Sequence, residues 1–261
     1  MLIDINAKIG QWPFKKLMFE DGVSLIRRMD QFAVDRSVVS SLNGIFYKNT
    51  QTANHALYEE CKSSSILKER IIPFCIINPS YSGWKYDFNK CINDWGMRGV
   101  CVYPQYHDYS ISDPELIELA VLAAENDVPV ALTLRMVDFR QRSWLDIERE
   151  WALQDVLPLL KEVPDAKYLI LNVANSTSLT DENLELFKRS NVLMDTSGRM
   201  LNRLSDHLKI FGDDKFAFGT HTPILDYCTP RLRIEYLDRE YDESVKDKLK
   251  YQNASQFLNL S

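Results

Sequence analysis

Eight apolar runs of strand length, each followed by a helical pattern, constrain this chain more than any other feature. They cover residues 2–6, 36–42, 71–78, 98–104, 128–135, 168–173, 191–197 and 215–221. Most are near-continuous in apolar residues, as strands buried on both faces of a parallel sheet must be. Helical periodicity fills 21–32, 54–68, 113–126, 152–162, 181–190 and 202–211. Asp113-Pro114 places a capping residue before a proline suited to the first helical turn, and Thr180-Asp181-Glu182-Asn183 forms a second cluster of capping and acidic residues. Eight such alternations predict a single (β/α)8 TIM barrel over residues 1–261. A doubly wound open sheet is the alternative, weakened by the lack of a GxGxxG turn after the first strand.

The charge pattern narrows the partners. The net charge is −6 with both signs interleaved, which argues against a nucleic-acid surface. No apolar run approaches the ~20 residues needed to cross a bilayer, and the first strand begins at Leu2 without a signal-like segment. Cytoplasm is the expected compartment. Cys61, Cys75, Cys91, Cys101 and Cys228 are widely spaced and never CxxC, so they read as free thiols in a reducing environment. The sequons at Asn175 and Asn253 carry little meaning without secretion.

A barrel puts its chemistry at the carboxyl ends of the strands. The residues to inspect there are Asn6 and Lys8, Asn43, Asn78, and the segments 103–107, 133–142, 172–175, 195–197 and 220–223. Asn6 and Lys8, two apart on an extended strand, project to one side, with Ile3 and Ile5 expected on the other.

Four stretches carry a resemblance: IDINAKIG on the first strand, MRGVCVYP on the fourth, FAFGTHTP on the eighth and NASQFLNL near the C-terminus. Together they resemble the amidohydrolase-related branch of the amidohydrolase superfamily, which contains TIM-barrel hydrolases, lactonases and decarboxylases. The resemblance implies a metal site of two histidines on strand one, one each at the ends of strands five and six, and an aspartate after strand eight. The corresponding positions are Asn6, Lys8, Thr133, Asn172 or Val173, and His221, and none matches. Lys8 would put a cation where the metal should sit, so no metal and no cofactor is expected. The stretch IGQWPFKKL is similar to a subgroup that also lacks the paired histidines. Gly10 and Pro13 mark a turn there, so Trp12 and Phe14 either fold over the barrel mouth or pack on a neighbouring loop.

Other groups must then carry the chemistry. His221 suits a general base or acid, with Asp195 or Asp138 to orient it. Asn6, Lys8 and Arg135 suit an anion, Arg135 by a bidentate clamp, with Arg140 in the same loop. Trp12, Tyr103 and His107 complete an expected pocket wall. The plain alternatives are a surface residue leaning out for Lys8, an ordinary solvated loop with internal ion pairs for the arginine-rich segment, and packing on the barrel rim for the tyrosine-rich loop and His221. These features predict a metal-independent hydrolase for a small carboxylated lactone or ester. The alternatives are a catalytically silent barrel binding a small anion or a protein, and an atypical metal on His107, His221 and a carboxylate. The aromatic loops leave a homo-oligomer open.

Overall fold

The computed structural model describes residues 1–147, 149–173, 177–198, 203–237 and 241–260. Its strands are β1 (Ile3–Ile9), β2 (Arg36–Ser41), β3 (Ile71–Pro73), β4 (Cys75–Ile76), β5 (Val100–Val102), β6 (Val130–Thr133), β7 (Tyr168–Leu171), β8 (Val192–Asp195) and β9 (Phe216–Ala217). All pairings are parallel, in the order β1-β2-β3 and β4 through β9. β3 and β4 are one expected strand broken at Phe74, beside Pro73, which has no N–H for the ladder. The Phe74 N–H still donates to the Val39 carbonyl at 2.9 Å and carries the pairing across the break.

The ring closes between the last strand and the first. Ile5 donates to the Phe218 carbonyl at 2.9 Å, His221 to Asn6 at 2.7 Å and Lys8 to Thr222 at 2.8 Å. The chain is thus a (β/α)8 barrel with eight strand positions. Ile3, Ile5, Phe74, Ile76, Leu169 and Leu193 pack inside the ring. Val39, Val100, Val130, Ile170 and Met194 point outward under the helices.

Helix ends follow their caps. Asp21 accepts from Ser24 N at 2.7 Å to start Gly22–Gln31, and Asp113 accepts from Glu115 N at 3.2 Å to start Pro114–Glu125. The helical pattern at 54–68 splits into Gln51–Lys62 and Ser65–Arg70, because Ser64 caps a new helix by accepting from Leu67 N at 3.2 Å. The last expected internal helix is Leu204–Phe211, and Asn202 lies outside the described residues, as does the sequon Asn175. Near the C-terminus, Asn253 donates to the carbonyls of Asp213 and Phe216 at 2.7 and 2.8 Å, while Ala254 and Leu258 enter the inner core. Four cysteines are buried, Cys228 is exposed, and all five are free. Among the described residues no helix is long and apolar enough to cross a membrane.

Candidate active site at the carboxyl ends of the strands

The site begins with an irregularity in β1. The β1–β2 register shifts between Asp4 and Ala7. One extra residue reverses the in–out phase of a strand. Ile3 and Ile5 therefore face the barrel interior, while Ala7 and Ile9 lie in the outer core, and Asn6 and Lys8 point inward with Ile5. This corrects the simple alternation, which put Ile3 and Ile5 on the face opposite Asn6 and Lys8. Asp4 holds the irregularity. Its Oδ1 accepts from Asn6 N at 2.9 Å and Thr220 N at 3.0 Å, and its Oδ2 accepts from Thr220 Oγ1 at 2.6 Å. Burial outweighs these bonds and pushes the Asp4 carboxyl up to about 7.

Asn6 is the hub of the interior. Its Nδ2 donates to Asp195 Oδ2 at 2.6 Å and lies 3.2 Å from His221 Nδ1. His221 Nε2 is 2.8 Å from the Met136 carbonyl, which can only accept, so Nε2 is assigned the proton and Nδ1 the lone pair. Burial, then the nearby Lys8 and Arg135 cations, lower the imidazole to about 3. Neither Asp195 nor Asp138 orients it, contrary to expectation: Asn6 stands between His221 and Asp195, and the backbone of Met136 holds the far side. A base this weak also departs from the expected imidazole poised near the working pH.

Asp195, at the end of β8, accepts from Asn6, from Ser197 Oγ at 2.6 Å and from Asn172 N at 2.8 Å. Burial still raises its carboxyl above the ordinary range. Lys8 Nζ donates to Tyr103 OH at 3.0 Å and Ser40 Oγ at 3.3 Å. Burial works against the Lys8 ammonium, and Tyr103, Cys101 and Asp195 work for it, with the net direction upward. Asn6, Lys8, Tyr103, Asp195 and His221 are each at most 1% exposed.

The segment after β6 covers this cluster. Arg135 is buried, 3.5 Å from both Asp138 and Glu150. Arg140 clasps Asp138 through Nε at 2.8 Å and an NH2 group at 3.0 Å, which holds the Asp138 carboxyl well below its usual range. Asp138 is thus a structural ion-pair partner, and Arg140, whose side chain is 55% exposed, faces away from the interior. Tyr106 OH donates to Asp146 at 3.0 Å and ties the segment to the rim. Trp12 packs edge-on against Phe14, Phe46 and Tyr106 at 5.6, 5.2 and 6.3 Å, so its ring closes the mouth and packs on a neighbouring loop at once. Beneath this cover is a cavity of about 10 Å³, room for about one water molecule, lined by Tyr106, Thr133, Arg135, Asp146 and Glu150. Lys8 does not line it, so this cavity does not join Lys8 to Arg135 as expected from the sequence. His107 packs against the rings of Tyr103 and Tyr109, both at 6.4 Å, and burial lowers its pKa.

Sequence reasoning missed Asp4 and Asp146, and it marked Thr220 and Met136 only as parts of segments to inspect, without the roles of the Thr220 hydroxyl and the Met136 carbonyl. The polarity of Asp4 within an apolar run was a usable signal. The Met136 carbonyl left none, because any residue supplies one. Ala174 and Asn175, in a segment marked for inspection, lie outside the described residues.

This fold is that of a TIM-barrel enzyme family. The family model Amidohydro_2, described as amidohydrolase, matches residues 5–260, and the chain belongs to that family. It is similar in structure to a 2,6-dihydroxybenzoate decarboxylase from Rhizobium, at 16% identity over 99% of this chain and 98% of that one, with a TM-score of 0.75. It is also similar to a 5-carboxyvanillate decarboxylase from Sphingomonas paucimobilis, at 12% identity over 100% and 99%, TM-score 0.76. A dihydroxybenzoic acid decarboxylase from Polaromonas with bound manganese aligns at 15% identity over 99% and 97%, TM-score 0.73. No curated protein matches the chain.

A metal such as that manganese does not fit the donors found here. Position 8 offers an ammonium, position 6 an amide already bound to Asp195, and Nε2 of His221 carries a proton directed at Met136. Among the described residues, no three His, Cys, Asp or Glu side chains gather into a metal-holding group, and that includes His107 and His221.

Proposed function

We propose that the chain is a metal-independent enzyme that hydrolyses a small carboxylated lactone or ester at the carboxyl ends of its strands. The observation that carries this reading is the buried cluster of Asn6, Lys8, Asp195 and His221, joined across almost the whole sequence. Burying such groups is costly, and perturbed titratable groups gather at functional sites. In this reading Lys8 and Arg135 hold the substrate carboxylate and the developing oxyanion. Asp195, made more basic by burial, takes a proton from the water that attacks the acyl carbon, and returns that proton to the alkoxide released when the acyl C–O bond breaks. His221 stays neutral and fixes Asn6. Entry requires the segment 134–152 to move. An anionic substrate agrees with the aromatic acids named for the decarboxylase relatives.

A second reading is a silent barrel that binds a small anion or a protein partner. It is favoured by the 10 Å³ cavity and by the internal bonding of Asp195 and His221. Exposed Trp144 (88%) and Leu145 (63%) on the covering segment suit a protein partner or a second copy.

The test is turnover by chelator-treated protein on a panel of lactones and aryl esters, read with a pH indicator, and on hydroxybenzoates, read by CO2 release. Ring opening or ester cleavage without metal is expected. Asp195→Asn should keep the fold and cut turnover by about 10²–10⁴-fold. Arg135→Met should weaken an anionic ligand by about 1.5–3 kcal/mol. Activity that appears only with one equivalent of a divalent metal would sink the metal-independent mechanism. CO2 release alone would move the reaction to decarboxylation, and binding without turnover across the panel would select the silent barrel.

A further inference from the structure

Larger cavities lie elsewhere on the barrel. At the amino ends of the first strands, a cavity of about 450 Å³ adjoins one of about 600 Å³, and Arg36 and Lys68 line both. Both volumes fall in the usual range of small-molecule sites, roughly 300–1,000 Å³. The smaller is lined by four cations, Arg36, Lys62, Lys68 and Arg98, and by no Asp or Glu. For a chain of net charge −6 with interleaved signs, that local excess stands out.

Two of the cations are committed. Arg98 donates to the carbonyls of Leu258 and Asn259 at 3.1 and 3.2 Å, and Lys62 lies 3.6 Å from Glu59 and 4.7 Å from the Tyr58 ring centre. The other two are not. Among the described residues neither Arg36 nor Lys68 has a carboxylate within ion-pair distance. Arg36 Nε is buried and has no hydrogen-bond partner. A guanidinium N–H removed from water without an acceptor is costly, and an anion would satisfy it. Ile72, Pro73, Trp95 and Leu260 add an apolar wall beside the cations.

We propose that this groove is a binding site for a phosphate-bearing small molecule with an apolar body. Arg36 and Lys68 grip the phosphate at the junction of the two cavities, and the body lies toward Trp95. Asp35 and Glu69 line the larger cavity and no carboxylate lines the smaller, so the anion sits on the smaller cavity's side of Arg36 and Lys68, where a dianion is favoured over a monoanion. Arg36 supplies the planar donor fork and Lys68 a mobile point charge. The site is independent of the chemistry at the opposite end of the barrel.

Phenyl phosphate is the probe, titrated calorimetrically into the full chain, with inorganic phosphate and benzoate as comparison ligands. One equivalent of phenyl phosphate should bind, more tightly than either. Arg36→Met and Lys68→Met should each weaken it by about tenfold or more, the loss of a charge-assisted contact. Lys68 is exposed, so its variant should fold even if Arg36→Met does not. Lys16→Met, an exposed lysine elsewhere, should leave binding unchanged. No saturable binding, unchanged affinity in Lys68→Met, or an equal loss in Lys16→Met would overturn the site. Benzoate binding as tightly as phenyl phosphate would overturn the assignment to phosphate.

Discussion

At the carboxyl end of the barrel the charges are buried and partnered: Asp195 accepts three hydrogen bonds, Lys8 donates two, and Arg135 sits between two carboxylates. At the amino end Arg36 and Lys68 line open cavities and form no ion pair among the described residues, although Asp35 and Glu69 line the larger cavity with them. The first arrangement shifts pKa values and resists change. The second leaves charge available to a ligand. The place where a barrel is expected to do chemistry and the place where it is open to a ligand need not coincide in one conformation.

The largest test of this contrast is the pH dependence of stability, which the carboxyl end should dominate. His221, lowered to about 3 in the fold, stays neutral while the unfolded imidazole protonates, so its contribution is lost as pH falls from about 6.5 towards 3. Asp4, raised to about 7, keeps its proton in the fold while the unfolded carboxyl releases it, so stability falls as pH rises from about 4 to 7. Each is worth roughly 4–5 kcal/mol across its window, and between about pH 4 and 6.5 the two oppose each other. Urea unfolding should show Asp4→Asn gaining stability steeply with pH over that range, and His221→Asn losing it. Parallel profiles for wild type and both variants would undo the contrast.

Next in size is Asp195→Ala, which leaves three buried donors without their acceptor. Urea unfolding should report a loss of about 3 kcal/mol or more. Tyr106→Phe removes only the hydroxyl held by Asp146, so its loss should be about 1 kcal/mol. It should also speed amide exchange in the covering segment, and unchanged exchange there would remove Tyr106 as its tether. Lys68→Met at the amino end should move stability by less than about 0.5 kcal/mol. A loss as large as that of Asp195→Ala would erase the difference between the ends.

The strand alternation and the caps at Asp113 and Thr180 were legible because each depends on near neighbours in sequence. So were Asn6 and Lys8, as polar residues in an apolar run. The phase change in β1 was not. It depends on the Asp4–Thr220 contact across 216 positions, which no local pattern encodes. The assignment of aspartates to His221 failed for the same reason, since its partner is a backbone carbonyl 85 positions away. The sealed mouth was hidden because Arg140 read as an anion-binding residue, and nothing local paired it with Asp138, Asp146 with Tyr106, or Glu150 with Arg135.

Gly219 lies against Asp195. A Cβ at position 219 would come within 2.6 Å of the Asp195 Cβ, closer than two such carbons can pack. The two positions are therefore coupled in sequence space. A larger residue at 219 requires glycine at 195, and with it the loss of the carboxylate. A saturation library across both positions should recover folded variants with a side chain at 219 only where position 195 is glycine, so that any residue other than glycine at 219 marks the loss of the interior carboxylate.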